Sequence, residues 1–373
     1  MKRVLPVSSK KDIKAFIDFQ HDLYADDPCY VPELFIAQRD LLTPGKHPFH
    51  NHSQVQLFLA YNDDKVVGRI AAILNKNHNT FNNTTDGFFG FFDCVNDGEV
   101  ASMLFKEATE WLRAKDATSI IGPVNLSTNE TCGMLVSGFD TPPFAMMTHN
   151  KEYYSTLLDQ LDFRKRVDLL AYYFGKDGYN DKAVKLQDIL TERLKNRGIT
   201  IRKVNKKNFK EEVAKIREVY NSAWDSNLGF VPMTEEEFDY MAKDMNLVLD
   251  PDFCLVAEKD NKHIGFALAI PDINQVLIKV KRGRLFPFGI FKLLFGLKKV
   301  NGIRIITLGV LEEYRKAGIE ACFYASIINA YRKKKYEHAE ASWVLEHNDL
   351  MNKAIQQING VPHKRYRIFE KAI

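Results

Sequence analysis

Residues 307–325 read TLGVLEEYRKAGIEACFYA. A short apolar run ends at Glu312 and Glu313, crosses Arg315-Lys316-Ala317-Gly318 and enters a stretch with helical apolar spacing. The junction predicts a strand handing over to a helix, with no aspartate or serine to cap the helix start. A helix N-terminus carries unpaired N–H groups and a partial positive charge. Gly318 lets a ligand approach the backbone closely, and Arg315 and Lys316 add cationic side chains. A bound diphosphate would supply the missing negative charge. The plainer alternative is an ordinary strand–helix turn with solvated basic residues, and Arg-x-x-Gly alone arises by chance in many proteins.

At 373 residues the chain exceeds one ordinary domain, so two are expected. It is 45% apolar and 27% charged, the composition of a soluble globular protein. A net charge of +4 is small for this length, so nucleic-acid binding is not implied. The five cysteines are scattered without a Cys-x-x-Cys, which fits a reducing compartment and free thiols. The start lacks the apolar core of a signal peptide, and no apolar run reaches the ~18 residues of a membrane span. A cytoplasmic protein is expected.

Outward from the junction, one order of elements is written twice. Each pass runs strand, two helices, hairpin, strand, helix, strand, helix, strand. The hairpins turn at Asn62-Asp63-Asp64 and at Asp260-Asn261, and one helix opens on Asp97. This predicts an α/β architecture with a mixed, mostly antiparallel sheet flanked by helices in each half. The expected domains are 1–173 and 199–373, bridged by a polar turn and helix over 174–198.

That order, with Arg315-Lys316-Ala317-Gly318 joining the fourth strand to the third helix, resembles the GNAT acyltransferase superfamily. The superfamily pattern is R/Q-x-x-G-x-G/A, and Glu320 departs from its last slot. GPVNLSTNETCGMLVSGFDTPPFAMM (122–147), GRLFPFGIFKLL (283–294), SWVLEHNDLMNKAI (342–355) and KRYRIFEK (364–371) look like a tandem-domain bacterial branch that includes ceramide synthase-like enzymes. The resemblance implies two GNAT folds and a fatty acyl-CoA co-substrate joined to a primary amine. It places the coenzyme A diphosphate at Arg315, Lys316, Ala317, Gly318 and Ile319, and the pantetheine beside Leu308 and Val310. Glu320 suits the helix dipole but repels a phosphate, so its side chain must point away or the site is weakened.

Acyl transfer to an amine needs a proton acceptor, a polarised carbonyl and a leaving thiolate. Glu346 and His347 end the strand beside the expected cofactor strand and are candidates to take the proton; otherwise they are simply its polar end. Many GNAT enzymes carry a tyrosine acid on the next helix, but residues 351–357 hold none, leaving Tyr366 or Tyr324. Asn348 and Asn352 share a helix face, to hold pantetheine or cap the helix.

Between the second hairpin and its next strand lies KVKRGRLFPFGIFKLLFGLKKV (279–300), with seven basic residues and no acidic one. Its apolar centre, including Phe288 and Phe291, suits an acyl-chain tunnel or a membrane interface, making peripheral contact with the inner face of the membrane possible. A helix buried between the two halves is the alternative. The corresponding junction of the first half, FFDCVNDGEVASMLF, is acidic and lacks Arg-x-x-Gly, so no coenzyme site is expected there. In the long loop after residue 122, Asn125, Ser127, Asn129 and Glu130 are candidates to line an acceptor pocket; a packed loop is the alternative. His47, His50 and His52 in HPFHNH lack a carboxylate or cysteine to complete a metal shell, and the chemistry needs no metal. Two rival readings share these features. One is an aminoacyl-tRNA-dependent transferase of the twin-GNAT type, against which the modest charge counts. The other is a non-catalytic acyl-CoA-binding or membrane-associated protein.

Overall fold

The computed structural model describes residues 1–176, 178, 182–223 and 229–373. The first turn of the expected bridge and Trp224, the expected end of a helix, lie outside the described residues. The chain divides into two compact units. The first comprises Met1–Leu169, Asn274–Lys299 and Lys364–Ile373, and the second Leu170–Ile273 and Val300–His363.

The elements of the first pass are β1 (Lys2–Pro6), α1 (Lys10–Leu23), α2 (Phe35–Leu41), β2 (Gln54–Asn62), β3 (Lys65–Leu74) and α3 (Lys76–Asn82). They continue as β4 (Asp86–Cys94), α4 (Gly98–Arg113), β5 (Ser119–Gly122), β6 (Val124–Asn125), β7 (Thr131–Cys132), β8 (Met134–Ser137), α5 (Tyr154–Gln160) and β9 (Arg164–Gly175). The second pass begins α6 (Lys182–Lys195), β10 (Ile199–Lys203), α7 (Phe209–Ala223), α8 (Glu235–Asn246), β11 (Cys254–Lys259) and β12 (Lys262–Pro271). Then come α9 (Asn274–Leu277), α10 (Gly289–Gly296), β13 (Gly302–Val310), α11 (Ile319–Lys333), β14 (His338–Leu345), α12 (Asp349–Gln357) and β15 (Val361–Ala372).

Local chemistry sets many of these ends. Ser9 and Asp12 form a capping box on α1, Thr234 and Glu237 another on α8, and Asp97 caps α4. In the first unit the sheet order is β1-β2-β3-β4-β5-β15, antiparallel except for β4 beside β5. In the second it is β10-β11-β12-β13-β14, with only β13 and β14 parallel. Strand alternation divides the second core: Leu255 and Ala257 face the side of Ile319 and Phe323, while Cys254 and Val256 face the side of Val213 and Phe238.

The halves are thus interleaved in sequence, which a cut at 173 and 199 does not express. β15 joins the first unit because it pairs antiparallel with β5, from Phe369 opposite Gly122 to Ala372 opposite Ser119. The 274–299 insert joins it because Asn274 donates to the carbonyls of Pro143 and Phe144, both at 2.9 Å. α3 and the short ladder β6–β7 are additions to the sequence reading, in which 122–144 is a loop without a secondary-structure period. Nothing in their two-residue strands carries a readable period.

Candidate active site

The second unit opens where its parallel strands part. β13 and β14 pair only from Gly302–Ile305 to His338–Ala341; β13 then runs on to Val310 and β14 to Leu345 without a ladder between them. A register shift between β12 and β13 sits at the same level, since Leu268 faces Thr307 but Ala269 faces Ile305. The extra residue, Ile306, bends β13 away from its neighbour. Ile305 through Leu308 are accordingly half-exposed in an interior strand, and beyond Ile305 β13 has no ladder partner on the β14 side among the described residues. Leu308 lies in this fork, whereas Val310 is buried beyond it.

From the fork the chain passes through Glu312–Tyr314 into the Arg315–Gly318 turn and α11. Gly318 is the N-cap residue at φ +99°, and no side chain caps the helix. Lys316 is exposed at φ +68°, and Ile319 is fully buried, anchoring the helix start in the core. The amide of Ala317 donates to Tyr314 O at 3.2 Å. Among the described residues, the amides of Lys316, Gly318, Ile319 and Glu320 have no protein acceptor. Arg315 works differently from the expectation of a phosphate ligand: its guanidinium donates to Val310 O at 3.3 Å and Ala223 O at 3.1 Å. It therefore clasps the turn to the strand end and to α7.

A polar network crosses the parallel pair just before it forks. Arg304, only 1% exposed, donates to Ser342 Oγ at 3.0 Å and Ser342 O at 3.3 Å. Ser342 donates to Glu340 Oε1 at 2.6 Å, and His363 Nε2 lies 2.7 Å from Glu340 Oε2. Glu340 is fully buried while the His363 side chain keeps 20% exposure. A carboxylate out of water needs such partners, and in exchange it orients the imidazole. Sequence reasoning missed this pair. The available signal was Glu340 and Ser342 two apart on one strand face, among alanines.

The predicted acid–base residues are distributed otherwise. Glu346 is half-buried and His347 exposed, both in the turn after β14. Tyr366 is fully buried on β15 in the first unit, so it is not part of the unit that carries the turn. Tyr324, the other candidate, is on α11; its hydroxyl is 3.2 Å from Met351 Sδ. Burial, reinforced by Glu320, pushes Tyr324 up to about 12, so its hydroxyl keeps its proton at neutral pH. Asn348 caps α12 by accepting the Met351 amide at 3.1 Å. Asn352 is saturated: it donates to Leu345 O and Glu346 O and accepts from Tyr172 at 2.8 Å. Both asparagines therefore hold the loop in shape, which leaves little of either side chain for pantetheine.

In the first unit the equivalent fork is filled by the chain itself. β4 and β5 pair only from Asp86–Phe88 to Ser119–Ile121. Beyond that, Asn125 Oδ1 accepts the Phe91 amide at 2.8 Å and its Nδ2 donates to Thr131 at 2.7 Å. Gly90 lies so close to Val124 that an added Cβ would sit 1.8 Å from its carbonyl oxygen. Asp97 accepts from the amides of Glu99 and Val100 and pairs with Lys2, so α4 has its anion built in. Ser127 is buried and accepts the Asn129 amide at 3.1 Å, and Glu130 lies 3.5 Å from His47 Nε2. Asn125 and Ser127 are thus loop-building residues. His50 and His52 turn to Leu41 O and Ser53 instead of converging with His47. Phe288 and Phe291 are exposed on the insert at 73% and 55%.

Two units, each with parallel strands that fork ahead of a helix, define a tandem GNAT fold. The structure aligns over its whole length with a tandem GNAT protein from the clavulanic acid biosynthesis pathway, at TM-score 0.59 and 10% identity, covering 98% of that chain. A GCN5-related N-acetyltransferase from Sphaerobacter thermophilus aligns at TM-score 0.54 and 12% identity, over 100% of this chain and 95% of that one. No family model matches the chain. It is 37% identical to Protein YghO of Escherichia coli, over 98% of this chain and 94% of that protein. It is 34% identical to the bacterial ceramide synthase of Caulobacter vibrioides, over 99% of this chain and 97% of that one. The chain belongs to the bacterial family of these two proteins, and its fold is a tandem GNAT fold.

Proposed function

We propose that the second unit transfers an acyl group from a coenzyme A thioester to a primary amine. The observation that carries this is the open fork of β13 and β14 leading to an uncapped helix start with free amides. Pantetheine pairs with β13 beside Leu308, and the diphosphate lies on the amides around Gly318, with Lys316 as the cation. Glu320 follows that turn at once and limits the affinity by repulsion.

In this reading the amine nitrogen attacks the thioester carbonyl and the carbon–sulfur bond breaks. His363, held by Glu340, takes the amine proton, and Tyr324 returns a proton to the thiolate. Glu346 and His347 remain second candidates for the proton acceptor. The relative named ceramide synthase supports a long-chain acyl donor and a lipid-like amine as substrates. Thermal stabilisation across acyl-CoAs of increasing chain length tests the reading, because a ligand bound only by the folded state raises its melting temperature. A shift that grows with chain length is expected. No shift with any coenzyme A species refutes the site, and equal shifts for free and long-chain forms refute the acyl preference.

A further inference from the structure

The insert between β12 and β13 is firmly held on one side and bare on the other. Arg282 pairs with Asp18 and Asp22, and Arg284 bonds Asp18 at 2.8 Å while covering the Phe35 ring at 3.9 Å. Gly283 packs on the backbone of Glu33, where a Cβ would lie 1.7 Å from the carbonyl oxygen. At Gly296 an added Cβ would lie 2.5 Å from Val276 Cγ1. These contacts all lie within the first unit. They make the segment a built ledge and not a loose loop.

What the ledge presents is apolar. α10 buries only Gly289. Phe286 is 79% exposed, Phe288 73%, Phe291 55%, Leu294 56% and Phe295 67%. Surface residues this large usually occur singly, and a contiguous group marks an interaction face. With Arg282 and Arg284 paired to aspartates, Lys279, Lys281, Lys292, Lys298 and Lys299 are the remaining basic residues of 279–300, and all five are exposed. No acidic residue occurs in that span.

We propose that this face docks on an anionic lipid bilayer. The phenylalanines and leucines enter the boundary between headgroups and acyl chains, and the lysines meet headgroup phosphates. No described helix is long and apolar enough to cross a membrane, so the contact is peripheral. A second copy is the poorer occupant, because a symmetric contact would set the same lysines against one another. The proposal is independent of the acyltransferase reading, since it rests on no residue of the fork or the turn.

The test is sedimentation of the full chain with vesicles of pure phosphatidylcholine and of equimolar phosphatidylcholine and phosphatidylglycerol. Binding to the anionic vesicles at least about tenfold tighter is expected, weakening with added salt. Phe288→Ser with Phe291→Ser should reduce partitioning by roughly a hundredfold at an unchanged melting temperature. Lys298→Glu with Lys299→Glu should lose the preference for anionic vesicles. Failure of the native chain to bind either vesicle overturns the proposal, as does full binding by the double serine variant. A concentration-dependent dimer that the serine variant abolishes, without vesicle binding, would assign the face to self-association instead.

Discussion

The two strand–helix junctions are built on one plan and finished in opposite ways. In the first unit, Asp97 caps α4 and Asn125 occupies the fork, accepting the Phe91 amide. In the second, Gly318 leaves α11 uncapped, and the fork between β13 and β14 stays open. A helix start and a parted strand pair both leave backbone groups that require partners. One unit finds them in its own side chains; in the other, the amides of Lys316, Gly318, Ile319 and Glu320 have no protein acceptor among the described residues. The same contrast extends to charge. Asp93 is buried in the first unit, paired with Arg69 at 2.7 Å and bonded by Tyr24 and Tyr154. Such a closed network has structural use, whereas the Glu340–His363 pair of the second unit keeps a partly exposed imidazole.

Substitutions at the two junctions should therefore behave differently. Gly318→Asp puts a carboxylate and a side chain at a left-handed position on the free amides, and should weaken coenzyme A binding by roughly a hundredfold or more. Titration calorimetry with free coenzyme A checks this, and retained affinity would break the contrast. Glu340→Gln should lower kcat by about a hundredfold with little change in coenzyme A affinity. Equal losses in binding and turnover would show the network to be structural only.

Acid sharpens the view of the first unit. Burial, with Arg69 adding to it, lowers His21 from its ordinary 6.5 to about 4. The unfolded chain therefore binds the proton first, so the stabilisation is complete above about 6.5 and is lost as pH falls towards 4. About 3 kcal/mol should disappear across that window, read by denaturant titration at several pH values. His21→Gln should flatten the dependence, and an unchanged slope would assign it to other groups. The smallest effect is expected from Asp97→Ala, a loss of about 1 kcal/mol of stability with unaltered coenzyme A affinity. If affinity falls with it, the first junction is not silent.

Much of this was legible along the chain. Apolar periodicity marked both hairpins and the main helices, Asp97 announced its cap, and Arg315–Gly318 with its missing cap marked the turn. The residues around the turn were less legible, because polar residues such as Asn348 and Asn352 look alike in sequence whether they serve a ligand or the local backbone. Arg315 illustrates this: a basic residue beside a phosphate-like turn is as readily a clasp on Val310 and Ala223. The insert was legible in composition, while its exposure and its attachment to Asp18 and Asp22 were not.

Local propensity, capping and hydrophobic period act within a few residues, so the sequence alone determined the repeated order of elements, the uncapped helix and the basic, apolar insert. Pairings between distant segments depend on which surfaces meet when the core closes, and only the tertiary structure decided them. It alone opened the fork beyond Ile305, filled its counterpart with Asn125, brought His363 to Glu340 and placed β15 beside β5.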